Sequence, residues 1–251
     1  MLDGDEREWS EEDAEQFIED FKLLNARPAS ILQVGGCRPT HRPLASHIGL
    51  IPVMRSDEAW PSDLHGRPMQ FIAQLNLTEA PYLPAELEQD ALLTLFVAED
   101  CIQRGFAPGT WEVRTYQTLS GLEPVEVPMQ PWHWMRGFEC QWQLITDYPV
   151  YDDSQLVLPE GYSLEDDLPE ELHGLNVRRS KIGGFASSIQ HEVEFVPAVN
   201  TADGWQRGEN PPFVFQIESE EKARLMWADN GTLYVGKRTG TDEWFASCQF
   251  Y

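Results

Sequence analysis

The spacing of apolar positions changes once along the chain, near residue 28. Before that point Ala14, Phe17, Ile18, Phe21 and Leu24 recur every three or four residues, which places them on one stripe of an α-helix. Ser10 stands just ahead of the stripe as an N-cap, with Asp13 three residues on. Glu11, Glu12 and Asp13 suit the positive end of the helix dipole. The pattern predicts an acidic amphipathic helix within residues 1–27. It should stop near Asn25, because Pro28 disfavours helical backbone at Arg27.

Beyond residue 28 the apolar runs are short, β-branched or aromatic, and bounded by Pro and Gly. They cover 29–34, 69–77, 92–97, 111–117 and 138–145, then 213–218, 223–228, 232–236 and 244–251. Each reads as a strand. Asn230-Gly231, between the last two runs but one, predicts a two-residue hairpin, since both residues tolerate positive φ. The predicted fold class is α+β, predominantly β. Nine Trp and eighteen Pro agree with ordered loops between strands better than with a helical bundle.

Four short patterns occur twice, in the same order. Ser46-His47-Ile48-Gly49 matches Ser180-Lys181-Ile182-Gly183, and the run 71–75 matches 213–217. The run 94–97 matches 232–235, and Trp111 with Gln117 matches Trp244 with Gln249. Two copies are too few for a solenoid. The expected organisation is one pseudo-symmetric domain over 28–251, an internal duplication of two similar β-rich halves. Half 1 covers about 28–146, an acidic connector about 147–172, and half 2 about 173–251. Gln74 and Gln216 hold like places in apolar strands. A buried Gln needs hydrogen-bond partners, so each should tie its strand to a neighbouring loop. The alternative is a functional pair at the pseudo-twofold.

The first half reads SHIGLIPV, then AWPSDLHGRPMQFIAQLNL, LPAEL and ALLTLFV; the second reads SKIGGF, PPFVFQIES, LMWADNGTLYV and WFASCQFY. In this order the segments resemble the YwqG-like family, a bacterial domain family of unknown function, over roughly residues 28–251. Leu50 stands where that family more often has a second Gly, and Ala228 where it usually has Gly. The resemblance implies a β-rich α+β domain and no particular chemistry. Members occur near bacterial toxin systems, so it also implies an immunity-type role.

The formal net charge is −24. Residues 1–20 carry ten acids against Arg7, and residues 147–172 carry nine acids with no Lys or Arg. Nucleic acid and anionic membrane are excluded as partners, because both need clustered bases. A basic protein partner fits the charge; a solvated, solubilising surface is the alternative. The connector acids Asp152, Asp153, Glu165, Asp166, Asp167, Glu170 and Glu171 are the candidate partner-binding residues. The acids of residues 1–20 are accounted for by capping and dipole effects, so they stand apart from that candidate surface.

No apolar run reaches the roughly 18 residues of a membrane span. The acidic N-terminus has neither the basic nor the apolar region of a secretory signal. The expected location is the cytoplasm. Cys37, Cys101, Cys140 and Cys248 are scattered without CxxC spacing, so they should pack as small hydrophobes, not as disulfides or a zinc site.

Paired carboxylates could serve a glycosidase in so acidic a chain, with Glu112 and Glu194 on possible strands, but nothing singles out a pair and an exposed strand face is the simpler role. No GxSxG elbow occurs. Gly35-Gly36 and Gly183-Gly184 lack the Lys-Ser/Thr of a phosphate loop and suit tight turns. His191-Glu192 lacks the second His of a zinc helix, with Phe195 in its place. No metal or cofactor is expected. Trp132 and Trp134 flank His133 and would share one face of a strand. This triplet is the candidate ligand-binding patch, for a sugar, a base or a partner side chain; a packed Pro-rich corner is the alternative. The expected function is a non-catalytic, acidic binding protein, of immunity type against a basic toxin. The alternative is a small-molecule binder or hydrolase with a cleft between the halves.

Overall fold

The structure is a computed structural model that describes residues 9–128, 135–151, 153–164, 168–196, 199–201, 204–206 and 209–251. One helix, α1 (Glu11–Asn25), precedes strands β1 (Arg27–Val34), β2 (His47–Ile48), β3 (Val53–Arg55), β4 (Gln70–Asn76), β5 (Leu92–Val97), β6 (Trp111–Tyr116) and β7 (Leu122–Pro124). Then follow β8 (Phe138–Asp147), β9 (Lys181–Gly183), β10 (Val199–Thr201), β11 (Gly204–Gln206), β12 (Phe213–Glu218), β13 (Thr232–Lys237) and β14 (Trp244–Gln249). The fold is predominantly β, as the alternating and apolar runs predict.

Ten strands form one antiparallel sheet in the order β14-β13-β12-β9-β1-β8-β2-β4-β5-β6. The long strands β1 and β8 pair at its centre over the whole of β1, from Arg27 opposite Asp147 to Val34 opposite Cys140. Outward from that pair the order is the same on both sides: a short strand, then three longer ones. β1 is followed in sequence by β2 yet pairs with β9, and β8 is followed by β9 yet pairs with β2. The register breaks alike in β4, between Phe71 and Ala73, and in β12, between Phe213 and Phe215.

The sheet curls into a nearly closed, barrel-like layer. Its two edge strands face one core, through Trp111 and Val113 on β6 and through Trp244, Ala246 and Cys248 on β14. The ends of the core are filled by loop residues: Leu77, Leu83 and Leu87 from one connection, Ala223, Leu225 and Trp227 from another. Trp227 meets Phe106 edge-on, with ring centroids 6.1 Å apart. Residues 223–228 are therefore not the strand that their apolar run predicts. The run is read correctly as buried, but it fills a barrel end. Asn230, at φ 49°, turns the chain at the end of a long connection between β12 and β13, and the two-residue hairpin is not formed.

The outer face of the sheet is covered as well. The β3–β7 ribbon lies over the first half, packing Val53 and Leu122 on Leu92 and Tyr116, and Met54 on Phe71 and Phe96. Over the second half, Val193 and Phe195 pack on Tyr234. The short strands β2, β3, β7, β9, β10 and β11 escape prediction because runs of two or three residues carry no periodicity.

Candidate functional site

Ser10 caps α1 as the sequence predicts: its hydroxyl accepts from Asp13 N at 3.1 Å. The helix buries Phe17, Ile18 and Phe21, and they pack on the connector: against Leu172, with Tyr148, Leu156, Leu158, Tyr162, Leu168 and Leu175 around them. Trp9 stacks on Tyr162 at 5.6 Å, and Phe17 meets Tyr162 edge-on at 4.8 Å. Asn25 locks the far end. Its amide donates to Val157 O at 2.7 Å and its carbonyl accepts from Val157 N at 2.9 Å.

This packing brings the two acidic blocks into one lobe. Glu11, Glu12, Asp13, Glu15 and Glu19 are exposed on α1, and Glu160, Glu170 and Glu171 on the connector. Lys22 is the only Lys or Arg within 9–25 and 148–177, and it sits 3.5 Å from Glu19. The helix acids thus belong to the same surface as the connector acids, contrary to their separation by sequence. The hydrophobic face of the helix carries no charge pattern that says what it will dock on, so sequence reasoning could not see the juxtaposition.

The predicted site residues divide three ways. Glu170 and Glu171 are exposed on a short 3₁₀ turn whose Leu172 is buried under α1. Asp153 is half-buried and uses its carboxylate to accept from Gln155 N at 2.8 Å. Asp152, Glu165, Asp166 and Asp167, and also Trp132, His133 and Trp134, lie outside the described residues.

Asp147, the first acid of the connector block, takes no part in the acidic surface. It is fully buried, and its carboxylate meets Lys181 Nζ at 2.7 Å. It also accepts from Val177 N and Phe185 N, each at 2.9 Å. Burial pulls the Lys181 pKa down, and the Asp147 charge opposes that pull. A Cβ on Gly184 would collide with Asp147 Oδ2. The second Gly of SKIGGF therefore makes room for a carboxylate. In SHIGL the corresponding Leu50 is exposed.

Between the halves lies a cleft of about 310 Å³, lined by Glu86, Asp90 and Gln117 from the first half and Lys237, Arg238 and Asp242 from the second. Lys237 Nζ donates to Glu86 O at 3.2 Å and sits 4.9 Å from the Trp244 ring centre. Burial pushes the Asp90 carboxyl above its usual range. Among the described residues no three His, Cys, Asp or Glu side chains gather as metal ligands. The four cysteines are free thiols. Burial pushes Cys101, Cys140 and Cys248 up to about 12.

The match to known families falls on the sheet. Residues 46–236, from the Ser before β2 to the last residue but one of β13, match a domain of unknown function. The chain belongs to the DUF1963 family. No curated protein matches it. The DUF1963 span leaves out α1, β1 and β14, although both strands belong to the same sheet. Within the described residues no helix is long and apolar enough to cross a membrane.

Proposed function

We propose that this DUF1963 protein is a non-catalytic, cytoplasmic binding protein of YwqG-like type, and that its acidic lobe recognises a basic protein, most concretely a bacterial toxin that it neutralises. The observation that carries this reading is the union of α1 and the connector. Glu11, Glu12, Asp13, Glu15 and Glu19 of α1 and Glu160, Glu170 and Glu171 of the connector are exposed on one unit with its own apolar packing. Such a surface speeds encounter with a basic partner. The same reading takes the sheet as a duplicated unit with the boundary between the copies before β8 and not near residue 146, so that the two copies exchange their first strands, β1 and β8. In support, the strand order is the same outward from the centre, and Gln74 and Gln216 make like bonds.

The test is the association rate with a basic toxin encoded beside this protein, measured against ionic strength. Changing Glu11, Glu12, Glu160, Glu170 and Glu171 to Gln should slow association at low salt and flatten its salt dependence, while leaving the folded state intact. Exposed charges each contribute only about 0–1 kcal/mol, so the effect is on rate. Glu123→Gln with Glu126→Gln, exposed on and beside β7, is the control. Equal rates for wild type and the lobe variant at low salt would remove the lobe as the binding surface.

The second reading, a small-molecule site between the halves, draws on the cleft of about 310 Å³ with Lys237 and Asp90 in its wall. A ligand bound there should be weakened by Lys237→Met and untouched by the lobe variant.

A further inference from the structure

Cross-strand pairing sets Glu139, His47, Gln74, Thr94 and Arg114 in one row across β8, β2, β4, β5 and β6. Directly opposed residues share a face. The row lies on the outer face, because Ile48, Ala73, Leu95 and Val113, each next to a member, pack in the main core. The cover of the first half sits over it, held by Gln74. That side chain accepts from Val53 N at 2.9 Å and donates to Pro43 O and Ala45 O at 2.9 Å.

Beside Gln74 the row closes no hydrogen bond to the cover. Both ring nitrogens of His47, the Thr94 hydroxyl and Arg114 Nη1 are buried without a hydrogen-bond partner. His47 is 2% exposed and Thr94 is fully buried. The row of the second half, Lys181, Gln216, Tyr234 and Ser247, is arranged by the same pairings. It contains no such atom among the described residues. Lys181 is paired with Asp147, Gln216 accepts from Ser187 N, and the Tyr234 hydroxyl donates to Ser187 O at 2.7 Å. One half thus clamps its cover from two adjacent row positions, the other from one. Leaving a buried donor or acceptor unmade costs roughly 1–3 kcal/mol each.

We propose that the cover of the first half is an acid-released flap: a proton on His47 favours the state in which the segment around β3 lifts from the sheet and the imidazole reaches water. The groups that face His47 are few. Glu139 on β8 is already held by Thr40 N, Thr40 Oγ1 and His41 N. Phe71 on β4 presents its ring at 5.5 Å. From the cover, the Ile51 carbonyl favours the protonated ring without closing a hydrogen bond. Glu58 of the cover is engaged by Arg55 N and the Tyr116 hydroxyl. Arg114, three strands from His47, is paired with Glu112 at 2.5 Å.

Burial outweighs the pull of Glu139 and Ile51 and lowers the His47 pKa from 6.5 to about 4. The closed state binds its proton less readily than a solvated histidine would. Closure is therefore fully favoured above about pH 6.5 and is lost progressively as pH falls toward 4. If the ring is solvated in the open state, the opening equilibrium rises on the order of 50-fold between about pH 7.5 and 4.5.

Native-state hydrogen exchange on the full chain at those two pH values, corrected for intrinsic rates, tests this. Peptides covering 43–58 and 122–125 should open tens of times more readily at the lower pH, while those covering 185–195 in the second half should not. The internal comparison is needed because acid acts oppositely elsewhere. Half-buried Asp90 and Glu218, whose pKa values are raised chiefly by burial, take up protons in favour of the folded state, and the net charge of −24 relaxes. His47→Leu should abolish the acid response of the first cover. His47→Gln, polar and uncharged at every pH, should abolish it too and serves if the first variant does not fold. An acid response that persists in the folded variants, or that is equal in the two covers, would overturn the proposal.

Discussion

Asp147→Asn should lower the unfolding free energy by about 3–5 kcal/mol, the usual cost of removing one member of a buried ion pair. Three donors converge on the Asp147 carboxylate: Val177 N, Phe185 N and Lys181 Nζ. An amide can offer its oxygen to only one side of that set, and its NH₂ then faces another donor. Lys181 is left with no exposed side-chain surface and no counter-charge. Because the residue ends β8 and anchors the chain on both sides of β9, the loss falls on the centre of the sheet. Replacing the pair together, as Asp147→Leu with Lys181→Met, should recover most of the loss, since apolar pairs of similar volume often do as well as a buried ion pair. Urea midpoints at unchanged m-value measure both. A single substitution costing less than about 1 kcal/mol would mean that the pair is not desolvated as the structure has it.

Gln74→Leu and Gln216→Leu should each cost about 2–4 kcal/mol, and by similar amounts. Gln74 satisfies Val53 N and the Pro43 and Ala45 carbonyls; Gln216 satisfies Ser187 N and the Arg179 carbonyl. Leucine fills the space but strands buried groups, each worth roughly 1–3 kcal/mol. The two glutamines bond to residues 134 positions apart, Val53 with Ser187 and Ala45 with Arg179. Thermal unfolding of the two variants checks the parallel. One glutamine that can be replaced at no cost would break it.

These glutamines show what the sequence could convey. Their place in apolar strands calls for partners, and a loop-tying role follows from that need alone. The long strands were equally legible: 92–97 and 213–218 coincide with β5 and β12. One of the four repeated patterns is out of step with the strand pairing by two residues. Pairing sets Gln74 opposite Thr94 but Gln216 opposite Tyr234, so Thr94 corresponds to Tyr234 and not to Thr232. Matching letters favoured Thr with Thr, whereas the register follows the hydrogen-bond ladder. That β1 pairs with β9 and β8 with β2 was beyond reach, because nothing local to a strand states which neighbour it will take. The same limit hid the lobe: Phe17 and Leu172 lie far apart in sequence and meet only in the fold. Asp147 was read as one of nine surface acids, and only its buried partners distinguish it.

The most direct test of the central claim, that the acidic lobe is the recognition surface, is zero-length coupling of carboxylates to lysines in a complex with the basic protein partner proposed above. Peptide mapping should place the couplings on Glu11, Glu12, Glu15 and Glu19 of α1 and on Glu160, Glu170 and Glu171 of the connector. Couplings confined to the outer covers of the sheet or to the cleft at Glu86 and Asp90, or the failure of any such complex to form, would contradict the account.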